Sequence, residues 1–425
     1  MRVKSPPTSS SAERDPSGKS RRHLARLALG STAAALTIVP LALAGVAPAG
    51  AAPVTTPTAP PPVTILTNGT HRGGDFFISP FGDAATYANG AEILSPQGNT
   101  VWFHPAPAGE EDADFRVQRY DGQRVLTFWE GTGLGGLGVG TDYIYNSNYQ
   151  QIATVNAGNG YSADGHEFLI TPWNTALVLI YTTAQANLTS IGGPANQTVI
   201  DGIVQEINIS TGQVLWQWNS ADHVPYSQSE QPLPASASTP WDWFHINAVK
   251  VARDGNFLID ARDTWTTYKV SHATGNIIWQ LGGKDSSFTL KAGPGQTLDN
   301  ASELFAWQHD PEQVGTNEYT IFDNESSGVA QLPYSRVIEV KLNQRKQTAT
   351  LIKSWNQPEG LVAASQGDAQ TIGHGDLVVG WGILPYFSEF SKSGSLLFNA
   401  EFPAGVNTYR AYRFQWPGNN NSRPH

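Results

Sequence analysis

The chain has 425 residues, 40% of them hydrophobic, with 42 Gly, 28 Pro and 13 Trp. This composition suits one large, turn-rich domain and is too polar for a polytopic membrane protein. The net charge is −10, and residues 1–51 hold seven Lys or Arg against two Asp or Glu, so the remainder carries −15; that balance speaks against nucleic acid as a partner, since phosphate binding needs a basic stripe.

The chain opens with Arg21-Arg22-His23-Leu24, an apolar run from Leu27 to Val46 and the small residues Ala49-Gly50-Ala51. This is the layout of a secretory signal with a twin-arginine flavour, and Pro40, Gly45 and Pro48 within and after the run weigh against a membrane anchor. Residues 1–51 are therefore expected to direct export and to be removed, leaving no membrane segment. Residues 52–62 read as a flexible Pro, Thr and Ala spacer, and residues 63–425 as one domain.

From Val63 onward, short runs rich in β-branched and aromatic residues recur between turn residues, and no amphipathic helix of three turns is evident, so the fold class is all-β. The clearest unit runs from Trp241 to Gly283, where Asp254-Gly255-Asn256 and Thr274-Gly275-Asn276 supply turns between strand-like runs. About forty residues for four strands is the size of one propeller blade. Grouping the remaining runs gives six units, with five or seven left open, and Tyr409–Trp416 over to close the ring; the expected fold is a six-bladed β-propeller. Trp216, Trp279 and Phe398 recur after a turn Gly and two aliphatics, and are expected to pack between blades.

Three successive units open with a histidine: His166, His245 and His309. The first strand of each blade lines the central channel, so these imidazoles are expected to converge. Strand alternation would place His245 and Asn247 on one face. Arg262 ends the next strand and belongs with an anionic ligand that its planar fork can bind. A metal reading would recruit Asp164, Glu167 and Asp310 as a second shell, but Arg262 counts against a dication. Arg336 reads at least equally well as a surface or blade-edge charge, and His374 as a turn residue.

Phe244-His245-Ile246-Asn247-Ala248-Val249, Ala261-Arg262, Trp279-Gln280-Leu281-Gly282-Gly283-Lys284, Gln308-His309-Asp310, Ile321-Phe322-Asp323-Asn324 and Ser335-Arg336 together resemble, in order and approximate spacing, the arylsulfotransferase family, the PAPS-independent aryl-sulfate sulfotransferases. The resemblance covers about Asp164 to Phe402. It implies a six-bladed propeller, export, small-molecule aryl sulfate and phenol as substrates, no cofactor, no metal, and ping-pong transfer of a sulfuryl group through a sulfurylated histidine. Carried over to this sequence, it implies His309 as nucleophile, His245, Asn247 and Arg262 as the sulfate-binding group, and His166 as the remaining channel histidine. Asp263 stands where bacterial members carry a polar or basic residue. Only a neutral imidazole attacks, so turnover is expected to fall as pH drops through the imidazole pKa, about 6.5 when unperturbed.

Two other readings stay open on the residues alone. Ile209-Ser210-Thr211-Gly212-Gln213-Val214-Leu215-Trp216 resembles the Trp-docking repeat of quinoprotein-like dehydrogenases, although that reading leaves the channel histidines unexplained. A propeller that binds ligand without turnover is the other.

Overall fold

A computed structural model describes residues 57–69, 73–134, 137–325 and 331–417. The expected export signal and residues 52–56 of the spacer lie outside the described residues.

The central unit shows how the sequence writes a blade. Ile246–Val251, Phe257–Ala261, Thr266–Val270 and Ile277–Leu281 pair antiparallel in that order. Gly255 and Gly275 turn the chain at φ 79° and 74°, where a side chain would be strained. Alternating residues of each strand then face one neighbouring blade or the other.

Six such sheets make the propeller. Blade 1 contains Asp75–Phe81, Gly90–Leu94 and Thr100–Pro105, and its innermost strand is the C-terminal Asn407–Phe414. Blade 2 contains Glu111–Tyr120, Gln123–Thr132, Val139–Tyr145 and Gln151–Val155. Blade 3 contains Asp164–Ile170, Thr175–Ala186, Gln197–Asn208 and Val214–Asn219, and blade 4 is the unit already described. Blade 5 contains His309–Gln313, Glu318–Asp323, Arg336–Asn343 and Thr348–Asn356, and Thr289–Ala292 adds a parallel edge. Blade 6 contains Asp368–Ile372, Asp376–Gly380, Tyr386–Phe390 and Leu396–Glu401, and the N-terminal Thr64–Asn68 forms its outer edge. The ring is thus closed twice, by an outer strand from the N-terminal side and an inner strand from the C-terminal side.

The core lies between blades. One buried cluster joins Leu177, Val204 and Trp218 of blade 3 to Ile246, Phe257 and Tyr268 of blade 4. Another joins Leu258 and Trp279 of blade 4 to Tyr319 and Ile338 of blade 5. Trp279 and Phe398 are buried in such clusters, and Trp216 packs on the edge of one, 5.0 Å from the Phe257 ring. Burying one such ring stabilises by roughly 2–3 kcal/mol, so these positions hold blade to blade. Among the described residues the α-helix Ser220–His223 has four residues, and no helix is long and apolar enough to cross a membrane.

The inner strands are deformed where they approach the axis. Asp114 and Asp310 sit at φ 53° and 52°, each beside a register shift in its strand. His245 has φ 52° immediately before Ile246–Val251, whose own register shifts after Ile246. Such bulges bend a strand and redirect its side chains, at about 1–2 kcal/mol for each left-handed non-glycine residue. Each of the three is held by a polar side-chain partner described below.

Candidate active site

His166, His245 and His309 meet near the axis. The rings of His166 and His245 lie 5.4 Å apart at 88°. Tyr181 stands 5.5 Å from both, and the Tyr409 ring lies 5.5 Å from that of His166 at 89°. His309 is close enough that the charges of Arg262, His166 and His245 all depress its pKa. His166 and His309 are buried, whereas the His245 and Arg262 side chains are 13% and 12% exposed; solvent therefore reaches the group on the side of His245 and Arg262.

Each imidazole is oriented through Nδ1. His166 Nδ1 bonds Asp164 Oδ1, which also accepts the His166 backbone N–H. His245 Nδ1 bonds Asp242 Oδ2 at 2.5 Å. His309 Nδ1 lies 2.7 Å from Asn324 Oδ1. The Asn324 amide is fixed in turn, because its Nδ2 donates to the carbonyls of Ala363 and Gln366, both at 2.9 Å. Its oxygen must then face His309, so Nδ1 of His309 carries the proton and Nε2 keeps the lone pair. The backbone N–H of Gln366 approaches Nε2 at 3.3 Å, consistent with that tautomer.

Protonation divides the histidines. Burial first, and then the Arg262 guanidinium, hold His309 well below the ordinary imidazole range. Burial also opposes charge on His245, but the Asp242 carboxylate on Nδ1, helped by Asp263, outweighs it and raises its pKa. The pair thus offers a neutral imidazole whose Nε2 carries the lone pair beside one that favours the imidazolium form. Burial, with Asp164 adding to it, keeps the Tyr181 and Tyr409 phenols protonated far above their usual range.

Arg262 reaches this group because the backbone continues past its strand. Arg262 N–H donates to the His245 carbonyl at 2.9 Å and Asp263 N–H to that of Phe244 at 3.1 Å, in the 3-10 turn Arg262–Thr264. The guanidinium donates to Asp263 Oδ1 at 2.7 Å and to the Ala364 carbonyl at 3.3 Å. Residues Ala363–Gln366 therefore touch Arg262, Asn324 and His309 alike.

Asn247 departs from the expected arrangement. His245 lies outside the strand in a left-handed conformation, so strand alternation does not tie it to Asn247. The buried Asn247 amide instead donates to the Gln308 carbonyl at 2.7 Å, and so supports the backbone that carries His309. Glu167 and Asp310, considered above as a metal second shell, belong to a buried ionic cluster. Arg410 joins Asp114, Glu167, Asp310 and the Asn247 carbonyl at 3.2, 3.0, 3.5 and 3.2 Å, linking five blades across the axis. Lys250 bonds Asp310 at 2.6 Å, Glu167 at 2.9 Å and Glu312 at 3.1 Å, and Arg116 pairs with Asp114 and Glu167. Beyond this plug, at the other mouth of the channel, lies a cavity of about 460 Å³ lined by Arg116, Asp310, Glu312 and Tyr412 and by none of the three histidines.

Arg336 is neither a surface nor an edge charge: it is buried, paired with Asp323 at 2.9 Å and Glu325 at 3.1 Å, and bonded to the carbonyls of Thr297 and Leu304. His374 occupies a turn at φ 63°. Sequence reasoning missed the roles of Asn324, Asp242, Tyr181 and Tyr409. For Asp242 and Asp164 the signal was present as an acidic residue three or two positions before the histidine.

A family model described as Arylsulfotransferase (ASST) matches residues 116–403. No curated protein shows a significant sequence match. Among solved structures, the chain is similar to a protein of unknown function from Bacteroides caccae at 12% identity, with 80% of this chain and 99% of that one covered and a TM-score of 0.47. It is also similar to virginiamycin B lyase from Staphylococcus aureus at 8% identity, with coverages of 79% and 87% and a TM-score of 0.37.

Proposed function

Because the chain belongs to the arylsulfotransferase family, we propose that it moves a sulfuryl group from an aryl sulfate to a phenol through His309. The observation that carries this reading is the fixed tautomer of His309: a buried neutral imidazole whose Nε2 lone pair lies under the influence of Arg262. A neutral imidazole attacks sulfur without prior loss of a proton.

In the first displacement, His309 Nε2 forms the N–S bond as the bond from sulfur to the aryl oxygen breaks. The departing phenolate takes a proton from the His245 imidazolium. The sulfurylated ring keeps its Nδ1–H, and Asn324 Oδ1 accepts it, which stabilises the positive charge the ring has gained. In the second displacement, the acceptor phenol gives its proton to His245 and its oxygen attacks sulfur, and the N–S electron pair returns to Nε2. Arg262 holds sulfuryl oxygens through its planar fork, and positioning supplies most of the rate, as in phosphoryl transfer. His166, oriented by Asp164, supports His245 from the side, and Asn247 positions His309 through the Gln308 carbonyl. Export directed by residues 1–51 belongs to the same proposal.

The test is donor without acceptor. Intact-protein mass spectrometry should record one added sulfuryl group, and peptide mapping should find it on His309; His309→Ala should take up none. A label on His166 or His245, or transfer at the wild-type rate by His309→Ala, would refute the assignment.

A further inference from the structure

A second cluster, at the seam between blades 1 and 2, is unlike the rest of the molecule. Asp112 and Glu130 are directly opposed in the antiparallel pair formed by Glu111–Tyr120 and Gln123–Thr132. Side chains at such positions share a face, and like charges there repel. Asp112 is 1% exposed and the Glu130 side chain 11%. His104 closes the cluster from the neighbouring blade, its Nε2 3.1 Å from Glu130 Oε2. One donor atom from each of the three residues lies within 4.8 Å of the others.

Among the described residues, no Lys or Arg lies within ion-pairing distance of Asp112 or Glu130, and Glu110 adds a third negative charge close by. Asp112 Oδ2 accepts the Ala91 N–H at 2.8 Å, whereas the buried Oδ1 has no hydrogen-bond partner among the described residues. Ala91 is itself paired with His104 across blade 1. The scaffold therefore fixes an imidazole, a carboxylate and an unsatisfied carboxylate oxygen around one point, at an excess of negative charge.

We propose that His104, Asp112 and Glu130 form a structural site for a divalent transition-metal ion of the zinc type, which clamps blade 1 to blade 2. One nitrogen and two oxygen donors suit zinc, while the imidazole disfavours calcium and magnesium, which prefer oxygen alone. The ion replaces the proton that the opposed carboxyls would otherwise share, occupies Asp112 Oδ1, and enters past the partly exposed His104.

The full chain, stripped with a chelator and titrated with zinc chloride in a calorimeter, should bind one equivalent at this site. His104→Gln and Glu130→Gln should each weaken that binding at least tenfold, since each deletes a ligand. Zinc should raise the thermal unfolding midpoint of the wild type and leave those of both variants unmoved. Without metal, Glu130→Gln should unfold no lower than the wild type, because it removes a repelling charge; this separates loss of a ligand from loss of fold. The proposal is overturned if the wild type binds no more zinc than the two variants, which would leave a shared proton as the answer to the acids. It is equally overturned if His245→Ala abolishes zinc binding while His104→Gln retains it, which would place the ion with Asp242 and Asp263.

Discussion

At the scale of single residues, Asn324 decides what His309 can do. Without it, only the long contact from the Gln366 N–H to Nε2, at 3.3 Å, still favours the proton on Nδ1. Asn324→Ala should therefore lower kcat/KM by about two orders of magnitude or more, the scale on which a wrong tautomer disables a catalytic imidazole, with circular dichroism reporting a retained fold. The pH profile should differ from that of an unperturbed imidazole. His309 is held neutral well below pH 6.5 by burial and Arg262, so the acid limb should lie below that value rather than at it. His245 is raised, chiefly by Asp242 acting against burial; its charge is present below its folded pKa and lost as pH rises through it. An alkaline limb above pH 6.5 should follow, and Asp242→Asn should bring it down. The same shifts act on stability: His245 adds stability that is full below its unfolded pKa and fades as pH rises through its folded one. His309 does the reverse, and costs stability as pH falls from 6.5 toward its folded pKa. The three histidines were legible because each opens a repeat unit. Their partners were harder to read: Asn324 is a whole strand away from His309 in sequence, and the acids Asp164 and Asp242, although close before their histidines, carry no mark of which ring nitrogen they would hold.

Among the elements, hairpins were readable and long-range edges were not. Gly255 and Gly275 announce the turns of blade 4, because only a residue tolerant of positive φ closes them. Thr64–Asn68 pairs with Leu396–Glu401 near the other end of the chain, and Thr289–Ala292 joins Thr348–Asn356 in parallel; neither has a local turn to betray it. The deformed positions Asp114, His245 and Asp310 were equally hidden, since none falls on a glycine, and the one at His245 breaks the alternation that would have tied it to Asn247. The N-terminal strand offers a direct check. Its Ile65 packs against the cluster between blades 6 and 1, so removing residues through Asn68 should lower the unfolding midpoint by several degrees while sparing the channel. A truncation that lowers turnover as much as stability would mean that the edge reaches the site.

Across the whole molecule, the ring of blades was foreseen, but the plug at its axis was not. Glu167 and Asp310 stood out as acids beside histidines, yet their partners Arg116, Lys250 and Arg410 come from three other blades, and sequence does not reveal which inner-strand residues converge. Lys250 is the test of that network. Burial opposes its charge, but Asp310 and Glu167 hold its pKa above the usual range. Lys250→Met leaves Glu167, Asp310 and Glu312 short of a cation, and should cost about 3–5 kcal/mol by denaturant unfolding, the usual result of orphaning a buried charge. The plug also dictates traffic. In the proposed function the plug lies beneath the histidines, and the exposed side of the group is that of His245 and Arg262. For the transfer proposed above, a phenol that has just lost its sulfuryl group would then leave past the residues its successor enters by, so the two would compete for one berth and the second partner would wait outside until the first has gone.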